Sequence, residues 1–116
     1  MQLNEFFAAV GGNYDLVLFR LPGENMIRRF LRRFTEDPSY GNLKTALAEQ
    51  NISDAFRAAH TLKGIAANLG LDALANAASD LTEALRGASA MPPQRLMDAV
   101  DINYQNVIQQ INQMDA

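Results

Sequence analysis

His60 is the only histidine in this chain of 116 residues, and it stands in the run Ala59-His60-Thr61-Leu62-Lys63-Gly64. A neutral imidazole is a good nucleophile toward phosphorus, and its phosphorylated form gives the group up readily. Those two properties suit a carrier, which must both accept and release. On a helix, Lys63 and Gly64 share the surface of His60, because residues three and four apart are neighbours there. Lys63 can offer a positive charge to phosphoryl oxygens, and Gly64 leaves space. Phosphoryl transfer rests on positioning and charge neutralisation more than on covalent machinery. A nucleophile, a cation and an absence of bulk are therefore enough for one side of such a reaction.

The glycine has a cost. In mid-helix it is less favourable than alanine by about 0.5–1 kcal/mol. Close approach of a partner would account for Gly64, and so would tight packing of a neighbouring helix.

Residues the chain lacks narrow the chemistry further. There is no cysteine, so disulfides, thiolate catalysis and cysteine-based zinc sites are excluded. No glycine-rich phosphate cradle of the P-loop or kinase kind is present, so ATP binding is not expected. Only carboxylates beside the one histidine remain for a metal, without recognisable loop spacing. No metal site and no cofactor are expected. The chain reads as a phosphoryl carrier without kinase activity of its own, with nucleotide, magnesium and most catalytic groups held by partners.

Charge and hydropathy bound the partners. A net charge of −3 argues against general nucleic-acid binding. Arg28, Arg29, Arg32 and Arg33 form one basic cluster, read first as a solvated helix face and second as a docking patch for an acidic partner. No apolar stretch approaches the roughly 18 residues of a membrane span. The start, Met1-Gln2-Leu3-Asn4-Glu5, has no basic flank followed by an apolar core. A cytoplasmic, monomeric, free-standing single domain over residues 1–116 is expected, with no membrane association.

The elements that must hold His60 are helices. Leu3, Phe6, Phe7 and Val10 follow one helical stripe. Gly11-Gly12 breaks it, and Asn13 is a cap for a short second helix striped by Tyr14, Val17, Leu18 and Leu21. Its Leu16-Val17-Leu18-Phe19 core has strand character, but no second strand exists to pair with it. After Pro22-Gly23 a third helix, about 24–36, carries Met26/Ile27, Phe30/Leu31 and Phe34. Asp37-Pro38 opens a fourth, with Leu43, Ala46 and Leu47 inside. The fifth runs over about 52–69, with Asn51 as cap and Gly70 as stop. The sixth carries Leu71, Leu74, Ala78, Leu81 and Leu85, and the last carries Leu96, Val100, Tyr104, Val107, Ile111 and Met114. Short connections favour antiparallel neighbours. The expected architecture is all-α, an antiparallel up-and-down four-helix bundle with additional short N-terminal helices.

A helical wheel then aims the imidazole. With Ile52 at zero and about 100° per residue, Ala55, Ala59, Leu62, Ala66 and Leu69 gather near roughly 300°. His60 falls near about 80°, away from that stripe, with Gly64 and Ala67 flanking it and Lys63 between it and the core. The ring should project outward beside small residues.

The run His60-Thr61-Leu62-Lys63-Gly64-Ile65-Ala66-Ala67-Asn68-Leu69-Gly70 resembles the His-x-x-Lys-Gly core of the histidine-containing phosphotransfer (HPt) domains of two-component phosphorelays. The likeness extends to Ala58-Ala59 and to residues 71–81, and more weakly to the whole chain, including Gly11 to Asp15. The resemblance implies that His60 is phosphorylated on its outer ring nitrogen by a phosphoaspartate of a receiver domain, and passes the group to another receiver. It implies response-regulator receivers as partners, together with a hybrid sensor kinase. Lys63 carries over as the phosphate-side cation and Gly64 as the residue that leaves room. Family members often set a polar side chain of the next helix against the other ring nitrogen. Ser79, Thr82 and Glu83 lie in that region, and Thr82 fits best by spacing, although its side chain is short.

Ser53, Phe56, Arg57, Gly64 and Ala67 are the expected rim for a docked receiver, with core packing an equal alternative for Phe56. The dimerisation helices of sensor kinases fit less well, because an acidic residue follows their histidine and Thr61 stands here. An adaptor bundle that binds a signalling partner without carrying phosphate is the alternative function.

Overall fold

A computed structural model describes the backbone of residues 1–115 and the side chains of residues 1–114. The helices are α1 (Leu3–Ala9), α2 (Tyr14–Arg20), α3 (Glu24–Phe34), α4 (Ser39–Ala48), α5 (Ile52–Asn68), α6 (Asp72–Leu85) and α7 (Gln94–Asp115). The fold is all-α, and α4 to α7 form the antiparallel up-and-down bundle. Helix α5 lies between α4 and α6, and α6 packs on α7. Tyr40 of α4 closes the ring on α7, with its ring stacked on Tyr104 at 3.7 Å and 9° between planes. The Tyr40 hydroxyl also donates to the Asp101 carboxylate. Helix α1 leans on α7, where the Asn106 side-chain amide donates to the Ala9 carbonyl at 2.9 Å.

The core follows the helical stripes. Leu3, Phe6, Phe7 and Val10 of the α1 segment are all buried, as are Ile27, Leu31 and Phe34 of α3. On α5 the buried set is Ala55, Ala58, Ala59, Leu62 and Ala66. Leu62 is fully buried, which is worth about 1.5–3 kcal/mol for a side chain of that size. Small alanines dominate the remainder of this face, so α5 can approach α4 and α6 closely.

Local signals end the helices where expected. The Asn13 side chain accepts from the Leu16 amide at 3.1 Å, and that of Asn51 from the Asp54 amide at 3.0 Å. The start of α4 is displaced by one position. Pro38 is its N-cap residue, and the Asp37 carboxylate accepts from the Ser39 amide at 2.8 Å. Helix α5 ends in a Schellman turn, with Leu71 donating to the Ala66 carbonyl at 2.9 Å and Gly70 to that of Ala67 at 3.1 Å. Gly70 has φ +69, a conformation open to glycine at little cost.

That turn anchors the N-terminal helices. The Gly70 carbonyl accepts from the Asn13 amide at 2.9 Å, and the Ala73 amide donates to the Gly11 carbonyl at 3.2 Å. A Cβ on Gly70 would fall 2.2 Å from Val17 Cγ2, and one on Gly12 would fall 2.5 Å from the Gly70 carbonyl oxygen. The two glycines thus permit backbone-to-backbone contact between the α1–α2 link and the end of α5.

Helix α2 departs from its expected stripe. Val17 is buried and Leu21 half-buried, but Leu18 is exposed, and the neighbouring Phe19 ring is 90% exposed. In the basic cluster Arg29, Arg32 and Arg33 are exposed and Arg28 is half-buried. Among the described residues, no helix is long and apolar enough to cross a membrane.

Candidate functional site

Helix α5 positions His60 by its own rotation. Ala59 and Leu62 on either side are driven inward, which turns the imidazole of His60 outward, and the residue is exposed. Lys63, one turn on, is half-buried. Half-burial is common for lysine, whose aliphatic stem can cover apolar surface while the ammonium stays in water.

Gly64 is exposed, and a Cβ built on it would meet no atom within 4 Å. Packing of a neighbouring helix therefore does not explain this glycine. Among the described residues, no contact offsets its helix cost.

Phe56, one turn before His60, is half-buried and serves as a shelf. Its ring is nearly parallel to the imidazole, with centroids 6.0 Å apart and planes 4° off. The Arg86 guanidinium lies over the same ring, 5.0 Å from its centroid. Arg86 is tied to Glu83: Nε donates to Oε2 at 3.2 Å and Nη2 to Oε1 at 3.1 Å. Those hydrogen bonds, and then the guanidinium charge, hold the Glu83 carboxyl below its usual range. Lys63 and His60 add to the effect from nearby.

Of the expected rim residues, Ser53, Arg57 and Gly64 are exposed, and Phe56 and Ala67 are half-buried. Ser53 is exposed, and its hydroxyl accepts from Arg57 Nη1 at 3.3 Å. Arg57 also pairs with the Asp54 carboxylate, so much of its positive charge is locally balanced. Ala67 is half-buried, and its carbonyl accepts from Arg20 Nη1 at 3.3 Å. That contact ties the end of α2 to α5.

Thr82 requires a correction. It is fully buried, and its hydroxyl donates to the Ala78 carbonyl at 2.6 Å. The rotation of α6 turns this residue into the bundle, and its side chain is too short to come back out. Its neighbour Glu83 is the α6 side chain whose electrostatic surroundings include His60.

Arg86 was not singled out from the sequence. The spacing of Glu83 and Arg86, one turn apart near the end of α6, was the available signal. Among the described residues, no group of three or more His, Asp or Glu side chains is placed to hold a metal ion.

The arrangement presents a nucleophilic ring on an open helix face, a cation one turn away, and clear space beside both. Comparison with characterised proteins and with solved structures finds no match for the chain. A family model for the Hpt domain matches residues 25–113, from α3 through most of α7. Such domains carry phosphoryl groups on histidine in phosphorelays and interact with receiver domains and kinases. The chain belongs to the Hpt domain family.

Proposed function

We propose that this protein is a cytoplasmic relay intermediate that takes a phosphoryl group from the phosphoaspartate of one receiver domain onto His60 and passes it to the aspartate of another. The outer ring nitrogen, Nε2, attacks phosphorus with its lone pair. An N–P bond forms as the P–O bond to the donor aspartate breaks, and the aspartate leaves as a carboxylate. The proton on Nδ1 stays in place, so the step needs no base. Lys63 faces the phosphoryl oxygens and offsets their charge. The receiver brings the magnesium and the in-line geometry.

The observation that carries this reading is the bare space over Gly64 beside an exposed His60. A receiver must bring its aspartate pocket down onto the imidazole, and α5 leaves it room. Ser53, Phe56, Arg57, Gly64 and Ala67 form the rim on which it rests.

The test is labelling by a receiver domain charged with a small phosphodonor. The wild-type chain should acquire acid-labile label. His60→Gln should acquire none while its helical circular dichroism is unchanged. Label on His60→Gln would move the acceptor elsewhere. Failure of the wild-type chain to label with any receiver, despite binding one, would favour an adaptor that carries no phosphate.

A further inference from the structure

Glu83 and Arg86 stand beside the acceptor yet have no part in the chemistry above. The pair is bidentate, with contacts of 3.1 and 3.2 Å. Both side chains are well exposed, 56% for Arg86 and 58% for Glu83. An ion pair this exposed is held only weakly against water, so a competing anion can open it. Phe56 is the common neighbour of the guanidinium and the imidazole. Glu83 in turn lies within electrostatic reach of His60 and Lys63. A phosphoryl group on His60 would therefore arrive among two cations and a carboxylate.

We propose that the Glu83–Arg86 pair is a phosphate-responsive clasp, in which Glu83 holds Arg86 while His60 is bare and releases it to the phosphoryl group once His60 is loaded. The inference rests on His60 being the acceptor. Phosphorylation adds about 1.5–2 negative charges and strong acceptor oxygens. That charge repels the Glu83 carboxylate and attracts the guanidinium, whose planar fork suits phosphate. The exchange moves no proton or electron.

Arg86 is then a positioning residue whose contact exists only in the loaded state. A contact made in only one state shifts the equilibrium toward that state. Arg86 tilts the partition of phosphate toward His60. Glu83 tilts it toward the receiver, through its own charge and through its hold on Arg86.

The experiment reads that partition. A receiver domain that exchanges label with the wild-type chain is mixed with the phosphorylated wild type, Arg86→Ala, Arg86→Lys and Glu83→Gln proteins. The ratio of label on histidine to label on aspartate is measured at equilibrium. Arg86→Ala should lower the ratio about three- to tenfold, and Glu83→Gln should raise it severalfold. Arg86→Lys should fall between Arg86→Ala and wild type. A merely structural ion pair would move melting temperature and leave the ratio alone. Any pattern other than opposite shifts from Arg86→Ala and Glu83→Gln overturns the clasp. Absence of label on the wild-type protein would instead overturn the relay reading beneath it.

Discussion

Phe56 and His60 stand one turn apart on α5 with their rings nearly parallel, 6.0 Å between centroids and 4° between planes. The phenyl ring also carries the Arg86 guanidinium on its face, 5.0 Å from the centroid. Phe56 is half-buried, so its loss costs less than that of a core aromatic. Phe56→Ala should destabilise the fold by about 1–2 kcal/mol. Phosphotransfer should slow by more than that loss of stability explains, when measured well below the melting temperature. Equal transfer rates for wild type and variant would remove the shelf from the mechanism.

Gly64 should separate stability from function. No atom lies within 4 Å of a Cβ placed there, and alanine is the better helix former. Gly64→Ala should therefore raise stability by about 0.5–1 kcal/mol. That corresponds to a rise of about 2–5 °C in melting temperature. Gly64→Gln should remain folded but transfer phosphate at least tenfold more slowly, because its side chain fills the approach to His60. Paired melting and transfer measurements would show opposite signs, and a Gly64→Gln protein with wild-type kinetics would contradict the docking geometry.

Gly70 is the reverse case. A side chain there would collide with Val17 Cγ2 and the Asn13 carbonyl, at φ +69. Gly70→Ala should cost roughly 2–4 kcal/mol, read as a lower denaturant midpoint. The loss should appear as loosening of α1 and α2 first, since Asn13 hangs from the Gly70 carbonyl. Amide exchange that rises at Asn13 and Val17 before α6 would show this, whereas uniform exchange would count against it.

Alkaline pH should expose the Tyr40 contact. Burial first, and then donation to Asp101, raise the Tyr40 phenol above its ordinary range. A folded value above the unfolded one means that the contribution is complete below the unfolded value, near 10, and is lost as pH rises through the folded value. Tyr40→Phe should be less stable than wild type at pH 8 and should converge with it above about pH 10. Melting curves from pH 8 to 11 would test the sign, and parallel curves would contradict it.

The sequence by itself determined the features that rest on local physics. Helical periodicity sorted Leu62 and Ala59 to the core and His60 to water, because a helix has one rotation per residue whatever surrounds it. Asn13, Asn51 and Gly70 could be read as helix signals because capping involves only residues within a turn. The stripe failed at Leu18, because α2 is a short helix that sets Val17 against Gly70 at the end of α5 and leaves Leu18 to solvent.

Tertiary structure alone decided what α6 brings to His60. Spacing along the chain pointed to Thr82, but facing residues across two helices depend on how those helices are rotated against each other. Packing of Ala78, Leu81 and Leu85 turned Thr82 inward and left Glu83 and Arg86 on the acceptor side. The empty space over Gly64 was likewise undecidable from the chain, since a glycine looks the same whether a neighbouring helix or open solvent lies above it.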